Sequence, residues 1–167
     1  MQNRSASCFA KVRAVYIYGS IKRGKAVGEF MFLRKAQYHE TDQMGFIHHS
    51  NYIKWMEEAR VAFMDQIGMG YAEVEKAGVV SPVTAVSVEY KKPVRFSEEV
   101  GIQVSVLSYS GVRLELEYQF FLMPERELCT TAVSKHCFLK DGRIVSLKRQ
   151  LPELDQILGS VCARTGK

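Results

Sequence analysis

At 167 residues, with 47% hydrophobic and 25% charged side chains, the chain suits one globular domain with a substantial core. No apolar run approaches the roughly 20 residues of a membrane-spanning helix. Met1–Ala10 lacks a long apolar stretch, so neither an integral membrane protein nor a secreted precursor is expected. The net charge of +5 sits at one end: Arg4, Lys11, Arg13, Lys22, Arg23 and Lys25 meet no acid within residues 1–28, which leaves the remainder at −1 and excludes a basic nucleic-acid-binding body.

Residues 1–30 read as a basic, poorly ordered extension. Val12–Tyr18 has strand character, but Gly19, Gly24 and Gly28 interrupt it. The segment lacks the clustered basic and aromatic pattern of a binding module; it reads as a leader, or as a start placed ahead of Met31. A first strand is expected over Phe32–His39, followed by the polar turn Glu40-Thr41-Asp42-Gln43-Met44-Gly45. From Ser50 to Gly68 the pattern becomes helical: Tyr52, Ile53, Met56, Ala59, Phe63, Met64 and Ile67 recur at steps of three and four. Trp55 and Ala62 widen that stripe, so the helix is expected to be buried, with Gly68 as its stop. Tyr71–Ala77 offers one or two further turns.

The rest reads as sheet. Val79–Tyr90, Val100–Tyr109, Leu114–Phe120 and Leu128–Leu139 are strand-like, and Asp141-Gly142 signals a hairpin into Arg143–Leu147. A short helix is expected over Leu151–Leu158, with residues 160–167 as a tail. One long apolar helix followed by antiparallel strands implies an α+β domain over 31–159, its sheet curled around the helix. Long strand edges left uncovered favour a homo-oligomer. Cys8, Cys129, Cys137 and Cys162 lack zinc spacing and read as free thiols of a reducing cytoplasm.

The densest polar cluster runs from Tyr38 to Tyr52, between the first strand and the buried helix. A helix N-terminus offers unpaired N–H groups that stabilise an oxyanion, and Asp42 lies just ahead of this one. That pairing suits acyl transfer, although Asp42 taken alone reads equally as a turn residue. His39, Asp42, His48 and His49 could be read as metal ligands, but adjacent histidines rarely converge on one ion, so no metal is expected. Glu57 and Glu58 are rival carboxylates on the helix; pairing with Arg60 and Lys54 is their simpler use. Lys91, Lys92 and Arg95 read either as phosphate contacts or as a solvated cluster at a strand end.

The run Thr41-Asp42-x-x-Gly45, then His49-Ser50-Asn51-Tyr52 and Glu57-Glu58-Ala59-Arg60, resembles the 4-hydroxybenzoyl-CoA thioesterase family, in its YbgC-like acyl-CoA thioesterase branch. Pro93-Val94-Arg95 matches that family's second segment, and the resemblance covers about residues 31–150. It implies a hotdog fold and hydrolysis of an acyl-CoA to free acid and coenzyme A, with no cofactor beyond the coenzyme A of the substrate. Asp42 would be the catalytic carboxylate, as nucleophile or as base. The backbone N–H of His49 would polarise the carbonyl, its ring helping to place water. Gly45, His48, Asn51 and Tyr52 would shape the substrate's path, and Lys91, Lys92 and Arg95 would meet its phosphates. A homodimer or homotetramer is implied as well. Glu40 stands where many relatives carry aspartate, and His48 where an aromatic residue is common, which leaves acyl preference open. The competing readings are a hydroxyacyl dehydratase on the same fold and a non-enzymatic acyl-CoA-binding module.

Overall fold

The computed structural model describes Tyr16–Ile17, residues 30–68 and residues 70–165. The extension expected over 1–30 lies outside the described residues except for Tyr16–Ile17 (β1) and Phe30. β1 pairs antiparallel with β2 (Met31–Lys35), Tyr16 opposite Phe32. Phe30 is buried edge-on against Phe63, ring centroids 5.5 Å apart.

The long helix α1 spans His49–Gln66. Tyr52, Trp55, Met56, Ala59, Ala62 and Phe63 follow the helical repeat and are all buried. Ile53 falls at the margin of that stripe and is 46% exposed. Gly68 takes φ +87, the left-handed conformation that ends a helix without a side-chain clash. A short helix α2, Tyr71–Lys76, follows.

Around α1 runs a six-stranded antiparallel sheet in the order β1-β2-β5-β6-β7-β4. Its later members are β4 (Val83–Tyr90), β5 (Glu99–Tyr109), β6 (Arg113–Leu122) and β7 (Glu127–Cys137). Ile102, Val104 and Val106 of β5, and Leu114, Leu116, Tyr118 and Phe120 of β6, alternate into the same buried cluster as the α1 stripe. Gly101 lies opposite Leu33 where β5 pairs with β2, and a Cβ there would meet Met31 Sδ at 2.7 Å, so the Met31 side chain would have to move aside. A small second sheet joins Val79–Val80 (β3), Leu139–Lys140 (β8) and Arg143–Ile144 (β9) in the order β3-β8-β9.

Five boundaries differ from the sequence expectation. The first strand stops at Lys35, because the Glu40 side chain accepts from the Gln37 backbone and winds Tyr38–Glu40 into a 3-10 helix. Val79–Tyr90 is divided at Ser81-Pro82, proline having no N–H for a ladder. After Cys137 the chain leaves the large sheet, and Asp141-Gly142 forms the expected hairpin turn with φ +51 and +73. Leu147 begins a helix instead of ending a strand: α3 covers Leu147–Gln150 and α4 covers Pro152–Thr165. The α4 helix thus runs into residues expected to be a tail, with Leu154, Leu158 and Val161 buried. Among the described residues, no helix is long and apolar enough to cross a membrane.

Candidate active site

The segment between β2 and α1 folds back on itself. Asp42 N donates to Phe46 O at 2.8 Å, and Gly45 N to Asp42 O at 3.0 Å. Gly45 has φ +76, which the reversal requires and a larger side chain would resist. Asp42 Oδ1 accepts from Met44 N at 2.8 Å and from Phe46 N at 3.4 Å, so the loop's own backbone orients the carboxylate. Among the described residues nothing holds Oδ2. The loop is docked by Ile47 N donating to Val94 O at 2.8 Å, and by the Arg95 guanidinium lying 4.5 Å over the Phe46 ring.

The start of α1 meets this loop. His48 is the N-cap: its Nδ1 accepts from Ser50 N at 3.3 Å, and its carbonyl accepts from Asn51 N at 2.9 Å. The His49 backbone N–H has no acceptor among the described residues, so the helix presents a free donor there. Tyr90, at the end of β4, donates its hydroxyl to His49 O at 3.2 Å, and its ring packs edge-on against Tyr52 at 5.0 Å. Burial pushes the Tyr52 phenol up to about 12 and also raises Tyr90, so both keep their protons at neutral pH.

A cleft of about 290 Å³ opens between these parts. Of the residues expected from sequence, Asp42, His49, Tyr52, Lys91 and Lys92 line it. Gly45, His48, Asn51 and Arg95 do not; they build the wall behind it. Gly45 makes the turn and His48 caps the helix. Asn51 is buried with Nδ2 donating to Glu40 O at 2.8 Å, and Arg95 covers Phe46. The phosphate contacts expected of Lys91 and Lys92 compete with local acids: Lys91 pairs with Glu89 at 2.5 Å and Lys92 with Glu127. Both pairs are solvent-exposed and readily exchanged for a phosphate. The rival carboxylates lie outside the cleft, Glu57 on Arg60 at 2.5 Å and Glu58 on Arg34 instead of Lys54.

Pro93, marked in the sequence by the Pro93-Val94-Arg95 segment, completes the lining with Met44, Phe46, Ile47 and Tyr90, and these last four were given no role by sequence. Only Tyr90 carried a signal, since the β4 alternation places it on the inward row with Val86 and Val88, next to Lys91-Lys92. Cys129 carries no nucleophilic role: it is fully buried, and burial pushes its thiol up to about 11.

Residues 36–158 match the family model described as the Thioesterase-like superfamily. The chain belongs to that superfamily. YneP of Bacillus subtilis, provisionally named an acyl-CoA thioesterase, is 34% identical over 121 residues, covering 71% of this chain and 87% of YneP. Among solved structures, a DHNA-CoA thioesterase from Staphylococcus aureus superposes with a TM-score of 0.76 at 35% identity, covering 80% of this chain and 90% of that one. A hypothetical protein from Aquifex aeolicus gives 0.70 at 31% identity, covering 75% and 98%. The sheet wrapped on one helix is thus the hotdog fold of these thioesterases, and the superfamily makes the protein a thioester hydrolase.

Proposed function

We propose that the protein hydrolyses an acyl-CoA at the cleft between Asp42 and the N-terminus of α1. The observation that carries this reading is the shared lining: one cleft holds the Asp42 carboxylate and His49, whose backbone N–H is unclaimed among the described residues. The thioester carbonyl oxygen accepts from that N–H, and the positive end of the helix stabilises the charge that develops on it. Asp42 then attacks the carbonyl carbon to give a mixed anhydride, which water afterwards hydrolyses to the free acid and restored Asp42, or it draws a proton from a water that attacks the carbon directly. The thiolate of coenzyme A leaves, its phosphates resting near Lys91 and Lys92. The names of YneP and the staphylococcal enzyme support a coenzyme A thioester as substrate, with aromatic acyl groups among the first to try.

The test is thiol release from short, long and aromatic acyl-CoAs by the wild type and by Asp42→Asn. The wild type releases thiol from at least one of them. The variant folds normally and loses about 10²- to 10⁴-fold in kcat, the range of a positioned acid or base. A variant as active as the wild type removes Asp42 from the mechanism.

Of the homodimer and homotetramer that the resemblance allows, we propose a homodimer as the basic unit, joined at the edge of β4 that has no second neighbour among the described residues. The free thiols of Cys129 and Cys137 support placing the protein in a reducing compartment such as the cytoplasm.

A further inference from the structure

Glu40 is 4% exposed, and it is a carboxylate. Such a group is tolerated in a protein interior only when its lone pairs are used. Here they are. Oε1 accepts from Trp55 Nε1 at 2.9 Å and from the Arg34 guanidinium, and Oε2 accepts from Gln37 N at 2.8 Å. Arg34 reaches on to Glu58 and lies 5.1 Å over the Trp55 ring. Burial pushes the Glu40 carboxyl up, but Trp55, Gln37 and Arg34 together outweigh it and hold the group below its usual range, so it is ionised at neutral pH.

The main chain of the same residue does a second job. Glu40 O accepts from His48 N at 2.8 Å and from Asn51 Nδ2 at 2.8 Å. These two bonds tie the N-terminus of α1 to the peptide that leads into Thr41-Asp42, and a bridge between Thr41 and Ile47 closes the loop beyond it. The side chain therefore anchors a carbonyl that sets the position of Asp42 and of the His49 N–H at once.

We infer that Glu40 is a positioning residue for hydrolysis: its buried carboxylate, clamped by Arg34, Trp55 and Gln37, fixes the distance between the Asp42 carboxylate and the helix donor. The inference rests on the proposed role of those two groups. A structural ion pair alone would support the fold as a whole; this one is directed at a single loop. Glu40→Gln keeps the shape, turns an N–H toward one of its three donors and loses the attraction of Arg34. Trp55→Phe removes one donor and leaves the carboxylate in place.

The experiment combines steady-state hydrolysis with hydrogen exchange on the wild type, Glu40→Gln, Trp55→Phe and Asp42→Asn. In Glu40→Gln, exchange across residues 40–51 rises roughly tenfold, as for the loss of one hydrogen bond, while β5, β6 and β7 stay protected. Its kcat falls about 10²-fold, as expected for a misplaced catalytic group, with KM held within about threefold. Trp55→Phe moves both readouts the same way by less. Asp42→Asn loses turnover with exchange over 40–51 unchanged, which separates chemistry from positioning. Two results overturn the inference: Glu40→Gln matching the wild type in both readouts, or protection lost evenly across the sheet with kcat per folded molecule intact. Should Glu40→Gln fail to fold, Trp55→Phe decides by the same two readouts. If the wild type releases no thiol from any acyl-CoA, the hydrolysis reading falls, and local loosening over 40–51 still decides whether Glu40 holds the loop.

Discussion

His136 is 2% exposed on the inward row of β7, in a chain of three hydrogen-bonding side chains. Its Nε2 lies 2.7 Å from Ser134 Oγ, which lies 3.0 Å from the Tyr118 hydroxyl. Burial and the nearby Arg60 charge lower the imidazole from 6.5 to about 4, against a smaller opposing pull from the Ser81 backbone and Glu57. The folded state therefore binds fewer protons than the unfolded chain between those two values. Stability is complete above about pH 6.5 and is lost as pH falls toward 4, by about 3 kcal/mol from this group. Urea midpoints measured between pH 7 and pH 4 should fall steeply in the wild type and less so in His136→Phe; parallel curves would mean that His136 does not carry the acid sensitivity. At this scale Asp42 and His49 were legible because their spacing in the chain is local to one loop and one helix turn. Glu40 was not. It looked like a substitution in a motif, and its partners Arg34 and Trp55 come from a strand and a helix that only the fold brings together. His48 and Asn51 stand outside the cleft lining, where polar residues beside a helix start satisfy backbone groups whatever the chemistry nearby.

Among the elements, α1 was legible since its buried stripe from Asn51 to Met64 keeps the helical repeat over about four turns, whereas α4 was not seen at full length. Gly159 and the weakly apolar end of the chain gave little sign that the helix continues. Tertiary contact settles it: Leu158 is fully buried, Val161 nearly so, and Tyr109 of β5 donates its hydroxyl to Asp155 Oδ1 at 2.7 Å. That contact also raises the Tyr109 phenol, after burial as the larger cause. The helix is therefore part of the domain core. Leu158→Ala should destabilise the protein by about 2–5 kcal/mol, the usual range for a fully buried leucine. Urea unfolding checks this; a loss well under 1 kcal/mol would make α4 a detachable appendage. Hydrolysis at low temperature should be untouched, because no residue of α4 lines the cleft.

For the molecule as a whole, the β4 strand carries the proposed dimer. It pairs with β7 along one side, and among the described residues nothing pairs along the other. Val86 and Tyr90 on its inward row are 38% and 47% exposed. An eight-residue edge with uncovered apolar side chains invites pairing, and a two-fold axis satisfies it by laying the strand antiparallel to its own copy. In the dimer proposed above, the sheet would continue through both subunits and the two inward rows would lie side by side. Sequence patterning foretold strong strands, but which one forms the edge follows from sheet order, which periodicity does not encode. The dimer should sediment at twice the 19.0 kDa chain mass. Val86→Lys places a charge in the joined row and should give a folded monomer, since the same side chain is tolerated at an exposed edge. A wild type that sediments as a monomer at micromolar concentration would remove the β4 interface. On the proposed dimer, activity would follow the same equilibrium: Tyr90 closes β4 against His49 O, so freeing the edge would loosen the brace on the α1 terminus. Specific activity should therefore fall on dilution through the dimer dissociation constant, and in Val86→Lys it should be low at every concentration.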